Sequence, residues 1–491
     1  MQVLIRTDSS SAIGGGHVSR CLSLANAMRS AGVNVSFICA DLSGNLIGKI
    51  ASAGFVVHPL AAGLSEAEDS RICQHIFEQQ ATPEQAIDLL IVDHYQLGLN
   101  WQKSVSSLVQ RLMVLDDVPQ RRICADILLN QNAGIERHQY ADFLEKSPTL
   151  LLLGTEYALL RSDFSDVPAP ELQSVSHCLI QMSATDPDNT TLKVVKTLMN
   201  SEVKIEFTIV LSSSAPGLAS VRDAIASDKR FTLKVDVENM ATLMRHHQVA
   251  IGAGGVAALE RCAAGLPSLV TVIADNQRPG VQALKEAGAI DEFSLNDESD
   301  DALIPSLTAI LGDRPAREAM QNAGRLLVDG KGVQKVLKQA LQSSPRRYLV
   351  RAQDKPIHRD TLLQWQQAPE IRQFARNAQP PTAAEHQAWY SNVLADPNRY
   401  LYFICQQGLL LGMVRLDCQA GDEGGEISIL TAPGYQGQGV ASDGLRMIRQ
   451  TLPGFRFDAF IKKENLASLR LFLSNGYIAK GDGWYVSTPE K

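Results

Sequence analysis

Three times in this chain a short apolar run ends in glycines and re-emerges as a helical pattern. Val3-Leu-Ile5 leads through Gly14-Gly-Gly16 into His17–Met28, where Val18, Cys21, Leu22, Ala25 and Met28 recur at helical spacing. Val249-Ala-Ile251 leads through Gly252-Ala-Gly-Gly255 into a stretch carrying Glu260. Ile427-Ser-Ile-Leu430 leads through Gln436-Gly-Gln-Gly439 into a third helical stretch. A strand ending in glycines bares backbone N–H groups, and the dipole of the following helix adds positive potential there. The fold must therefore be α/β, with each turn at the carboxyl end of a strand and suited to an anionic group.

At 491 residues the chain has room for about three domains. The apolar runs Val3–Ile5, Val35–Cys39, Leu89–Val92, Arg111–Leu115 and Ile127–Leu129 predict one parallel sheet. Cys178–Ile180, Ile205–Leu211, Phe231–Val235, Val249–Ile251 and Ser268–Ile273 predict a second. Short β-branched runs separated by helical patterns call for helices on both faces of each sheet. The expectation is a pair of Rossmann-type domains, 1–165 and 171–342, with a proline-bearing hinge at Ser165–Pro170 and a cleft between them. After the polar linker Gln342–Arg347, Tyr348-Leu-Val-Arg351 opens a third, α+β domain, 348–491.

The net charge of −7 argues against general nucleic-acid binding. Eight cysteines without a C-x-x-C pair argue for buried thiols in a reducing compartment, with no zinc site or disulfide framework. The first residues lack the basic and apolar regions of a signal peptide, and no apolar run nears the roughly 20 residues of a membrane span. A soluble, cytoplasmic protein with no membrane partner is expected. Oligomeric state is not legible.

His17, on the first turn of its helix and beside three glycines, is placed to take a proton from water. Asp93 and His94 follow a strand and should face the cleft, as substrate contacts or as support for His17. Asp116 and Asp117, with no third ligand nearby, read as a helix cap or a sugar-hydroxyl contact, and no metal is expected. In the second domain Gly254 and Gly255 open an anion-binding turn, and Glu260 lies one helical turn in, where it can accept from ribose hydroxyls.

The second-domain turn resembles the nucleotide-binding domain of two-domain GT-B glycosyltransferases. The wider set is more specific: Asp8, Ile13-Gly-Gly-Gly-His-Val-Ser-Arg-Cys-Leu22, Val92-Asp-His-Tyr95, Asp116-Asp117, Asn130-Gln-Asn132, Gly154, Tyr157–Arg161 and Glu260-Arg-Cys262. Together these are similar to the nucleotide-sugar hydrolases of pseudaminic acid biosynthesis, over roughly residues 1 to 340. That resemblance implies hydrolysis of UDP-2,4-diacetamido-2,4,6-trideoxy-β-L-altropyranose, with His17 as base, inversion at the anomeric carbon and no metal. It implies UDP-sugar contacts at Asp8, Gly15, Gly16, Arg20, Asp93, His94, Gly254, Gly255, Glu260, Asn276 and Gln277. The family's Gly-Gly-Ser-Asp appears here as Ser183-Ala-Thr-Asp186, and a backbone without glycine approaches a ligand less closely.

The third turn resembles the acetyl-CoA loop of GNAT acetyltransferases, and Asn465-Leu-Ala-Ser468…Phe472…Gly476-Tyr477 matches a second GNAT stretch. The resemblance implies acetyl-CoA as co-substrate, held by Ile429, Leu430, Gln436, Gly437, Gln438, Gly439, Val440, Ala441, Asn465 and Ser468. Phe472 stands where many of these enzymes carry the tyrosine that protonates the leaving thiolate. Glu426 is a candidate base or a solvated surface glutamate, and His386 reads as a packed residue. The whole chain then reads as a bifunctional enzyme of a nonulosonic acid pathway. It would N-acetylate a UDP-4-amino-sugar and hydrolyse the UDP linkage. A GT-B glycosyltransferase, or a non-catalytic nucleotide-sugar binding module, fused to an acetyltransferase, remains open.

Overall fold

The computed structural model describes residues 1–80, 87–145, 149–183, 186, 188–295, 302–342, 347–406 and 408–487. The first sheet contains β1 (Gln2–Thr7), β2 (Asn34–Ala40), β3 (Val56–Leu60), β4 (Leu89–Asp93), β5 (Leu112–Leu115), β6 (Ile127–Asn130) and β7 (Leu150–Leu153). They run in the order β3-β2-β1-β4-β5-β6-β7, all parallel. Its central strands β1 and β4 carry the apolar runs Val3–Ile5 and Leu89–Val92 and are buried throughout, as helices on both faces require. Sequence reading missed β3 and β7. β3 contains Pro59, which cannot donate to a ladder, and it sits at the sheet edge, where that costs little.

The second sheet repeats the design. Its strands are β8 (His177–Gln181), β9 (Glu206–Leu211), β10 (Phe231–Val235), β11 (Val249–Ala253), β12 (Ser268–Thr271) and β13 (Asp291–Glu292), parallel in the order β10-β9-β8-β11-β12-β13. The strand order reverses between β1 and β4, and again between β8 and β11. In such sheets the crevice outside the carboxyl ends at that reversal is where ligands bind. This is a GT-B-like pair of Rossmann-type domains.

The expected hinge is clamped. Helix Arg314–Leu327 reaches across it, with Arg325 Nη1 donating to the Val167 carbonyl (2.9 Å), Gln321 Nε2 to that of Pro170 (3.0 Å) and Arg317 Nη2 to that of Leu172 (3.1 Å). Helix Gly332–Ala340 then leaves the second sheet. Its Val333, Val336 and Ala340 join the core around Val18, Leu22 and Met28 of the first. The sequence-based segment 171–342 thus lends its last helix to its neighbour. Of the expected linker Gln342–Arg347, residues 343–346 lie outside the described residues.

The third sheet contains β14 (Arg347–Arg351), β15 (Arg399–Gln406), β16 (Leu409–Cys418), β17 (Gly424–Thr431), β18 (Arg456–Phe460), β19 (Ile478–Gly481) and β20 (Trp484–Ser487), in the order β14-β15-β16-β17-β18-β20-β19. Among the described residues of this sheet only the β17–β18 pair is parallel. This domain is docked on the first. Helix Val440–Thr451 packs against helix Leu99–Ser106, so that Leu445 and Ile448 share one apolar core with Trp101, Val105 and Leu108. Ser107 accepts from Leu349 N through its carbonyl (2.6 Å), and its hydroxyl meets that of Thr451 at 2.7 Å. Among the described residues no helix is long and apolar enough to cross a membrane.

Candidate active sites

The first site is built at the β1/β4 reversal. The loop after β1 closes on itself, Ser10 accepting from Ala12, Ile13 and Gly14, and delivers His17 onto helix Gly16–Ser30. β4 ends at Asp93, whose carboxylate accepts from His17 Nδ1 at 2.6 Å. That bond puts the proton on Nδ1 and leaves the lone pair on Nε2; Arg20 Nη2 also lies 3.2 Å from Nδ1, and the His17 side chain is 11% exposed. Nε2 has no hydrogen-bond partner among the described residues. Asp93 also accepts two bonds from Arg20, from Nε and Nη2, each 2.6 Å. Arg20 reaches on to Asp117 through Nη1 (2.8 Å) and Nη2 (3.0 Å). Asp117 in turn accepts from the Tyr95 hydroxyl (2.6 Å), and the Tyr95 ring lies edge-on to His17 with centroids 4.7 Å apart. The network closes into a ring: His17, Asp93, Arg20, Asp117, Tyr95. Burial alone would raise the Asp93 and Asp117 carboxyls, but Arg20 holds both below the usual carboxylate range, with His17 helping at Asp93.

This geometry shows what holds four of the residues expected at the substrate. Asp93 is 1% exposed and bonded to His17, the supporting one of the two roles expected of it. Arg20 is paired with two carboxylates, those of Asp93 and Asp117. Asp8 is held by Arg6, by the Ala40 N–H (2.7 Å) and by His94 Nε2 (3.0 Å). His94 accepts from the Gln96 and Leu97 N–H groups at Nδ1, which fixes its Nε2–H tautomer and leaves neither nitrogen free. These side chains build the wall of the site. Gly15 and Gly16 do lie beside His17, and a Cβ on Gly16 would meet nothing. Asp116, expected as a cap or sugar-hydroxyl contact, accepts from Arg121 (3.0 Å) and Tyr140 (2.7 Å). Tyr95 and the orienting role of Asp117 were not foreseen. Neither residue carries a spacing signal, because the ring is assembled from three separate strand ends.

The second domain faces the first. The turn after β6 meets the helix Arg278–Glu286 that follows β12, since a Cβ on Gly134 would stand 2.6 Å from Ala283 Cβ. The carboxyl ends of both sheets therefore border one crevice. At the β8/β11 reversal, Gly255 caps helix Val256–Ala264 at φ 75° and ψ −152°, a region open in practice only to glycine. A Cβ on Gly254 would stand 2.6 Å from Val281 Cγ2 and 3.1 Å from Gln277 Oε1, which also accepts from Ile273 N at 3.2 Å. Gln277 thus shapes the turn, while Asn276 is exposed beside it. Arg261, fully buried, donates to the Ala253 carbonyl at 2.6 Å and pins the strand end from below, its pKa drawn down by burial to about 10. Glu260 is bordered by Gln181 Nε2 (3.4 Å) and Arg161 Nη2 (3.7 Å), and burial raises its carboxyl. Asp186 caps helix Thr190–Met199 through Thr190 N (2.9 Å) and Thr191 N (2.8 Å). Ala184 lies outside the described residues.

In the third domain β17 and β18 pair only from Gly424 to Glu426 and then part. From Ile427 onward one edge of β17 faces a cavity of about 1250 Å³. All the expected acetyl-CoA residues except Gln438 line it; Gln438 turns back to the Gly434 carbonyl (3.2 Å). Gly439 caps the helix Val440–Thr451 in the left-handed region at φ 77°. An unpaired strand edge and a bared helix start fit a pantetheine arm and a pyrophosphate. Asn465 caps helix Leu466–Ser474 through Ser468 N (3.0 Å), so its carbonyl oxygen is engaged. Phe472 lines the cavity and packs edge-on to Tyr477. His386 is 2% exposed and bonded at both nitrogens, to the Arg359 carbonyl (3.0 Å) and Gln366 (3.2 Å), as a packed residue should be. Gly439→Trp should cost roughly a hundredfold or more in acetyl-CoA affinity, since left-handed strain adds to the blocked N–H contacts. Calorimetric titration with acetyl-CoA would check this.

Residues 346–478 match the acetyltransferase (GNAT) domain family. An uncharacterised protein of Methanocaldococcus jannaschii is 27% identical over 287 residues, 57% of this chain and 57% of that protein's length. The UDP-2,4-diacetamido-2,4,6-trideoxy-beta-L-altropyranose hydrolase of Campylobacter jejuni is 30% identical over 246 residues, 50% of this chain and 81% of that enzyme. The spore coat polysaccharide biosynthesis protein SpsG of Bacillus subtilis is 24% identical over 272 residues, 54% of this chain and 79% of that protein.

Proposed function

The chain belongs to the family of the UDP-2,4-diacetamido-2,4,6-trideoxy-beta-L-altropyranose hydrolase, and from that premise and its GNAT domain we propose a cytoplasmic, bifunctional sugar-nucleotide enzyme. The GT-B-like pair hydrolyses a UDP-2,4-diacetamido-2,4,6-trideoxy-hexose. Water attacks the anomeric carbon from the face opposite UDP, the new C–O bond forms as the bond to the diphosphate oxygen breaks, and His17 Nε2 takes the water's proton. The observation that carries this reading is the His17–Asp93 bond. It presents one unpartnered imidazole lone pair at a strand-order reversal, where a sugar's C1 would lie. The Gly254–Gly255 turn receives the diphosphate, and Glu260 the ribose. Acetyl-CoA in the third domain acetylates the 4-amine of a UDP-amino-sugar, so that the two reactions are consecutive.

The test is incubation of the full chain with the diacetamido UDP-sugar in H₂¹⁸O. Free UDP should appear, with ¹⁸O in the released sugar and none in UDP. Absence of UDP release would leave a binding module; release only in the presence of a sugar acceptor would leave a glycosyltransferase.

A further inference from the structure

One cation in the acetyltransferase cleft is supplied by the chain itself. Glu426 is the last residue of β17 paired with β18, where the two strands part. Its Oε1 receives Arg376 Nη2 at 2.8 Å. The same guanidinium lies over two rings, 4.9 Å from the centroid of Phe460 and 5.8 Å from that of Trp484. Those rings meet each other at 5.5 Å. A carboxylate and two aromatic faces around one point make a cation cage. Arg376 is weakly committed to it. Its side chain is 58% exposed, and it comes from a segment outside any helix or strand, which Lys462 tethers through the Ala375 carbonyl. Arg376, Glu426 and Phe460 all line the cavity that holds the Gly437–Gly439 loop.

We propose that Glu426, Phe460 and Trp484 form the subsite for the acceptor's ammonium group, and that Arg376 occupies it until an acceptor displaces it. The proposal rests on the acetyltransferase reading of this cleft and adds to it where the protonated amine is held and what fills that place before it arrives. Exchange of guanidinium for ammonium leaves Glu426 paired throughout, so the carboxylate is never buried against the cofactor without a partner. The transfer then balances. The ammonium gives one proton to Glu426 and on to solvent, and the freed nitrogen lone pair attacks the thioester carbonyl. The C–N bond forms, the C–S bond breaks, and the nitrogen's second departing proton ends on the CoA sulfur.

The experiment is calorimetric titration of the full chain, saturated with coenzyme A, with benzylammonium as probe. Arg376→Ala should bind it about tenfold more tightly than the unaltered chain, because no internal cation has to leave first. The double variant Arg376→Ala with Glu426→Gln should lose that gain, and coenzyme A affinity should be the same in all three proteins. Equal benzylammonium affinity with and without Arg376, or a gain that survives Glu426→Gln, would overturn the proposal. The sugar reading is tested apart, by thiol release from acetyl-CoA with a UDP-4-amino-sugar. Failure there leaves the benzylammonium result standing.

Discussion

Replacing His17 by alanine is expected to lower the rate of UDP release by about two to four orders of magnitude, the usual worth of a positioned general base. Asp93→Asn should approach the same loss. The Asp93 carboxylate sets which nitrogen of His17 carries the proton and stabilises the imidazolium that forms as water is deprotonated. An asparagine keeps the shape but not the charge, and it can offer an N–H to Nδ1, which turns the ring to the wrong tautomer. Both losses should fall on kcat with little change in KM, because neither side chain carries the binding of UDP. Acetyl transfer from acetyl-CoA is the internal control. It belongs to a cavity in the third sheet, and a variant that retains it is folded there. Steady-state UDP release checks the prediction. A His17→Ala protein with undiminished UDP release would remove the imidazole from the mechanism.

The second large effect is on stability. Arg20→Leu should destabilise the first domain by about 3–5 kcal/mol, because it leaves two buried carboxylates without their cation. In a domain of this size that corresponds to a fall of about 10 °C in its melting transition. The pH dependence should also change sign. With Arg20 present, Asp93 and Asp117 have depressed pKa values in the folded state. Their contribution is complete above the unfolded carboxylate value near 4 and is lost as the pH falls below it through the lower folded values. In Arg20→Leu one of the two should hold a proton when folded, so its folded pKa lies above the unfolded one. Stability is then greatest at low pH and declines as the pH rises past about 4. Thermal melts between pH 3.5 and 8 would distinguish the two slopes. Parallel slopes would mean that Arg20 is not the counter-ion the geometry makes it. Tyr95→Phe, by contrast, removes only one hydrogen bond to Asp117 and should cost about 1 kcal/mol.

The elements that sequence reading recovered share one trait: their signal is local. β1, β4 and β11 are apolar runs of strand length, and Gly254–Gly255 and Gly437–Gly439 are turns whose backbone demands little or no side chain. The elements it missed depend on neighbours. β3 contains a proline and is tolerated only because it lies at an edge. Helix Gly332–Ala340 is continuous in sequence with the second domain, yet it buries its apolar face in the first. The docking of helix Val440–Thr451 on helix Leu99–Ser106 leaves no mark in either segment, since an amphipathic helix shows only that it has a partner and not which one.

The same division runs through the sites. His17 was legible because a histidine after three glycines, at a helix start, is a local pattern. Asp8, Arg20, Asp93 and His94 were legible as members of the site, and the sequence left open whether Asp93 meets a ligand or supports His17. Polar residues at strand ends can face a ligand or one another, and spacing along the chain does not distinguish the two. By itself, the sequence determined the three strand–glycine–helix turns and hence which backbone amides lie open at strand ends, because turn geometry is set by a handful of adjacent residues. Only the tertiary structure decided that Asp93, Arg20, Asp117 and Tyr95 close into a ring behind one imidazole, and that Arg376 fills a cage made by β17, β18 and β20. Those contacts join residues tens of positions apart, and their energies depend on distance and burial that no short stretch of chain contains.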